Sequence, residues 1–93
     1  MPNTQPFEST CAKRSVKLPE FGRTSLSLED GFWNAILYIA DQTGKTAADL
    51  VAEVDVKRRK ARRGNLSSAL RIYVLDWALD QAGMREVAAY ERG

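Results

Sequence analysis

The segment RTSLSL, residues 23 to 28, constrains the fold more than any other stretch of the chain. It alternates polar and apolar residues with the period of two that marks a half-buried β-strand. Thr24, Leu26 and Leu28 share one face, and Arg23, Ser25 and Ser27 share the other. Everything downstream has helical periodicity. A strand presents a row of N–H and C=O groups that must be paired, so the chain has to find this one a partner.

Two sources are open. RSVKL (14 to 18) also alternates and reads as a short strand or an ordered arm. A hairpin of the two would be marginal alone and would leave an open edge. The other source is the same strand from a second copy, since antiparallel pairing of identical strands is self-complementary about a two-fold axis. PEFG (19 to 22) has turn chemistry, with Pro19 fixing φ and Gly22 permitting a positive one. Residues 1 to 13 carry two prolines and no periodicity, and read as a disordered tail around a domain at 14–82, with 83–93 as a C-terminal tail.

Three helical segments follow. The first, about 29 to 43, places Glu29 and Asp30 in its opening turn, where negative charge complements the helix dipole. Its stripe is Phe32, Trp33, Ile36, Leu37, Ile39 and Ala40, and Gly44 is placed to stop it. Thr46 caps the second, whose apolar residues are Ala47, Leu50, Val51 and Val54. It runs into KRRKARR (57 to 63) and ends at Gly64. Ser67 is the predicted N-cap of the third, which is apolar on nearly every side from Ala69 to Leu79. Such a helix asks for a core larger than one small chain provides. The strand and this helix both point to a homodimer.

Of the 93 residues, 44% are hydrophobic and 28% charged, ordinary values for one small globular domain. Net charge is only +2, but it is segregated. Residues 29–56 hold six acids and one base, and residues 57–71 hold seven bases and no acid. That gives one positive region. The N-terminus lacks the apolar region of a signal peptide, no run is long enough to span a membrane, and the lone Cys11 in a polar tail fits a reducing cytoplasm. Glu53/Asp55 and Asp76/Asp80 read as surface helix carboxylates, and Trp33 and Trp77 as core. There is no histidine, no glycine-rich phosphate loop and no nucleophile beside an activating base, so no enzyme, metal site or cofactor is expected.

RSVKL, RTSLSLEDGFW and GNLSSALRIYVLDWAL together resemble the ribbon-helix-helix proteins, the fold of the Arc and Met repressors, and more closely a bacterial subfamily of them. The resemblance spans about residues 14 to 79. It departs from the pattern by one extra helical segment, so both GKTAADL and GNLSSAL match the opening of the family's second helix. The resemblance implies a mainly α fold with one or two short strands. It also implies an intertwined homodimer joined by an intersubunit antiparallel β-ribbon, whose polar face enters the DNA major groove. By alternation Arg23, Ser25 and Ser27 would read bases. Lys17, Lys45 with Thr46, Ser67 with Ser68, and the bases Lys57, Arg58, Arg59, Lys60, Arg62 and Arg63 would contact phosphates. The dimer core would hold Leu26, Leu28, Phe32, Trp33, Ile36, Leu70, Tyr73, Val74 and Trp77. The implied function is a cytoplasmic, nucleoid-associated, sequence-specific regulator of transcription, a repressor or autoregulator bound to double-stranded DNA. The alternative is an antitoxin-like module with a protein partner; the short stretch after Leu79 favours the regulator.

Overall fold

A computed structural model describes residues 11–18, 22–62, 64–84 and 86. The strand's partner lies in its own chain. β1 (Cys11–Leu18) pairs antiparallel with β2 (Gly22–Glu29), in a register running from Cys11 opposite Glu29 to Leu18 opposite Gly22. Among the described residues the sheet has these two strands, and the outer edge of β2 stays open. β1 also begins at Cys11, inside the stretch read as tail, because the far end of β2 offers its backbone groups to residues 11–13. The remaining tail, residues 1–10, and most of the C-terminal one, 87–93, lie outside the described residues, as do 19–21 of the expected turn. Gly22 has the positive φ, +72°, that the turn reading asked of it.

α1 (Asp30–Gln42) starts one residue later than the sequence suggested, because Glu29 ends β2 and its carboxylate is used elsewhere. It stops in a Schellman turn: Lys45 N–H reaches Ala40 O at 2.9 Å, Gly44 N–H reaches Asp41 O at 3.3 Å, and Gly44 has φ +69°. α2 (Ala47–Ala61) opens on a capping box, Thr46 Oγ1 accepting from Asp49 N–H while the Asp49 carboxylate accepts from Thr46 N–H. α3 (Leu66–Gln81) is capped by Asn65 rather than Ser67, its Oδ1 accepting from Ser68 N–H at 2.8 Å. The helix begins earlier because Leu66 already packs on the core.

The inner face of the ribbon, Val16 and Leu18 from β1 with Leu26 and Leu28 from β2, closes over the three helices. Leu26, Leu28, Ile36, Ile39, Leu50, Val51 and Leu70 are each no more than 2% exposed, and each such aliphatic burial contributes roughly 1.5–3 kcal/mol. Phe32, Trp33, Tyr73 and Trp77 pack partly buried against them, with Trp77 edge-on to Tyr38 at 5.8 Å between ring centroids. The side chains expected at a dimer core therefore meet inside one chain. One face of α3 is left over: Ile72 and Leu75 stay about half exposed. Among the described residues, no helix is long and apolar enough to cross a membrane.

Candidate nucleic-acid interface

Alternation puts one face of the ribbon in the core and the other in solvent. On the solvent face β2 presents Arg23, Ser25 and Ser27, as the sequence indicated, and all three are exposed. The register adds a second row from β1: Lys17 lies opposite Arg23, Ser15 opposite Ser25, and Lys13 opposite Ser27. Lys13 and Ser15 were missed in the sequence because that segment read as tail or arm. The signal was present in the unbroken alternation of KRSVKL, which keeps Lys13, Ser15 and Lys17 together on one side.

Like charges directly opposite on a sheet repel, and Lys17 faces Arg23 with no ion-pair partner for either among the described residues. Arg23 reaches only diagonally, one guanidinium nitrogen donating to Ser15 Oγ at 3.3 Å. Among the described residues, the acids nearest the ribbon, Glu29 and Asp30, are already held. The Arg71 guanidinium donates twice to the Glu29 carboxylate, at 2.8 and 3.2 Å, and holds that carboxyl below its usual range. Arg14, which points to the core side, donates to Asp30 at 2.8 Å and lies over the Trp33 ring at 5.1 Å. Strand β1 and helix α3 thereby clamp the junction between β2 and α1. Among the described residues the solvent face carries three cations and three hydroxyls, with Cys11 at its end.

The two candidate anchoring turns differ. At α2, Thr46 and Asp49 occupy each other, Asp49 puts an acid in the first turn, and Lys45 is bound to Glu53 at 2.5 Å. That contact raises the Lys45 pKa. At α3 no acid stands in the first turn, and Ser67 Oγ donates to Ser27 O at 2.6 Å, tying the turn directly to the ribbon. Ser68 gives its N–H to the Asn65 cap. The structure brings Ser67 and Ser68 to the strand; Lys45 and Thr46 are engaged within their own helix cap.

The basic run divides as well. Asp55 is not a surface carboxylate: it is 1% exposed, on the Val51–Val54 side of α2. Its Oδ1 accepts from Arg58 at 2.6 and 3.1 Å and its Oδ2 from Arg59 at 2.8 Å, while Arg58 also donates to Gly64 O at 3.0 Å. Arg58 and Arg59 thus hold the end of α2 and the following turn. Lys57, Lys60 and Arg62 are exposed, and Arg62 closes the helix in the left-handed region with φ 53°. Arg63 lies outside the described residues. No cluster of three metal-ligating side chains occurs among the described residues, and Cys11 is free and exposed at the start of β1.

No curated protein and no solved structure matches the chain. The family model described as ribbon-helix-helix domain matches residues 11–78, spanning both strands and all but the end of α3. With the ribbon and helices it describes now in place, the chain belongs to the ribbon-helix-helix family, whose members are generally DNA-binding regulators.

Proposed function

We propose that the protein is a sequence-specific DNA-binding transcriptional regulator, a cytoplasmic repressor or autoregulator that acts as a homodimer and lays the polar face of its β-ribbon in the major groove. The observation that carries this reading is the uncompensated solvent face of the ribbon. Lys13, Lys17 and Arg23 stand among Ser15, Ser25 and Ser27, and Asp30 and Glu29 are held by Arg14 and Arg71. A polyanion relieves the repulsion between Lys17 and Arg23, and the major groove admits a two-stranded ribbon. Arg23 is the base reader, since a guanidinium pairs bidentately with guanine, and the serines donate or accept at neighbouring edges. Lys13 and Lys17 reach the flanking phosphates. The first turn of α3, acid-free and fixed to β2 through Ser67, offers backbone N–H groups to another phosphate. Lys60 and Arg62 add attraction without sequence preference.

The test is a binding titration by fluorescence anisotropy on a selected operator and on random duplex. Arg23→Ala should lose roughly 1–3 kcal/mol on the operator and much less on random DNA, because a base contact discriminates and a phosphate contact does not. Equal weakening on both would remove the base-reading role. Selection that enriches no sequence would remove the proposed function.

A further inference from the structure

A serine in the first turn of a helix usually uses its hydroxyl locally, on the cap or on a nearby backbone group. Ser67 does not. Asn65 takes the cap, its Oδ1 accepting from Ser68 N–H. The Ser67 hydroxyl crosses to another element and donates to the backbone oxygen of Ser27, 40 positions earlier in the chain, at 2.6 Å. One turn further along α3, Arg71 donates to both carboxylate oxygens of Glu29, at 2.8 and 3.2 Å. Positions i and i+4 of a helix share a face, so α3 grips the end of β2 at two points. Ser27 belongs to the exposed polar row with Arg23 and Ser25, while Leu26 and Leu28 are buried on the other side. Only its backbone oxygen takes part in the Ser67 bond.

We propose that Ser67 is a positioning residue for DNA recognition: its hydroxyl sets the base-reading row of β2 at a fixed offset from the phosphate-facing turn of α3, and is not itself a phosphate ligand. The inference rests on the reading of the ribbon as the base-reading element and deepens it. Base edges and phosphates stand at set separations on a duplex, so a protein that touches both has to hold its two contacting elements in register. Here those elements are far apart in sequence, and the Ser67 bond joins them directly. The tolerance is small, because recognition groups have to be held to about 0.5 Å. A hydroxyl has one proton to donate, and this one is given to Ser27. Phosphate contact from the turn is left to its backbone N–H groups. Phosphate contacts carry no sequence information, so a strand that slips against α3 loses operator preference before it loses general affinity.

The test compares Ser67→Ala and Ser67→Thr with the wild type on the selected operator and on random duplex, with urea unfolding as the control. Ser67→Ala puts a good helix former at a half-buried position and should stay folded. It should weaken operator binding roughly tenfold while random DNA changes little, since each subunit loses one hydrogen bond that holds the reading strand. Ser67→Thr keeps the hydroxyl and should restore most of the preference. An equal fall on both duplexes at unchanged stability would make the hydroxyl a phosphate ligand. An equal fall that tracks a lowered urea midpoint would make it a structural bond only. Either result, or an operator preference that Ser67→Ala leaves intact, would overturn the positioning role and leave the DNA-binding regulator standing. Selection that enriches no sequence would remove the regulator and this role with it.

Discussion

Asp55→Asn is the perturbation with the clearest magnitude in this structure. The substitution keeps the volume and removes the charge. Asp55 is 1% exposed and receives three hydrogen bonds from two guanidiniums. Asparagine keeps one acceptor but turns an amide donor towards a guanidinium donor. Of the two arginines, Arg58 is 19% exposed and Arg59 48%. Arg59 can rehydrate, so its share is small after solvent screening. Arg58 cannot do so fully, and a hydrogen bond to a charged group contributes about 1.5–3 kcal/mol. The expected loss is about 2–3 kcal/mol, or roughly 10–20 °C in Tm for a domain of this size. Urea denaturation followed by circular dichroism reads it directly. A cycle with Arg58→Leu should return a coupling of about 1–3 kcal/mol.

The same carboxylate predicts a pH dependence. Burial pushes the Asp55 carboxyl up, but the hydrogen bonds and charges of Arg59 and Arg58 outweigh it and hold the group below its ordinary 3.8. The unfolded chain therefore takes up the proton first. The stabilisation is present in full above about pH 4 and is lost as pH falls through the lower folded value. Asp55→Asn should flatten that acid limb. A variant within about 0.5 kcal/mol of the wild type, with an unaltered acid limb, would refute the argument that Asp55 organises the end of α2.

Three further outcomes follow from the same geometry. Leu26→Arg places an unpaired charge at a position 2% exposed under the ribbon, and should cost more than about 4 kcal/mol and abolish the cooperative thermal transition; a folded variant would show that the inner face is not closed. Lys60→Gln with Arg62→Gln should flatten the slope of log K against log salt by up to roughly 3.6 for two subunits on duplex DNA, leaving operator preference unchanged; an unaltered slope would remove both from the phosphate contacts. Arg62→Gly should raise stability by about 0.5–1 kcal/mol, because φ 53° strains an arginine and not a glycine; a destabilised variant would mean that the Arg62 side chain holds the turn.

Local signals carried most of the fold. The alternation of RTSLSL, the stripe from Phe32 to Ala40, and Gly44 at the end of α1 each depend on neighbours in sequence, and each stands where its pattern put it except Leu37, which is 45% exposed beside the stripe. Features that depend on distant partners were the ones misread. Residues 11–13 look like tail until Ser27–Glu29 lie beside them. Ser67 looks like a cap because it opens a run of apolar residues, yet Leu66 already belongs to the core and Asn65 takes the cap. Asp55 looks like any helix carboxylate. Its spacing held the clue, four residues after Val51 on the buried stripe and followed by arginines at i+3 and i+4.

The lone strand had two candidate partners, β1 and a second copy, and β1 takes one of its edges. The backbone groups of RTSLSL do have to be paired, but β1 pairs them within the chain, and Val16 and Leu18 of β1 close the core with Leu26 and Leu28. Within the chain β1 supplies one edge of the ribbon, and Leu70 and Val74 are buried against its core. The same requirement applies to the other edge of β2: among the described residues its backbone groups face no strand, and an open edge is a template on which a further strand can pair.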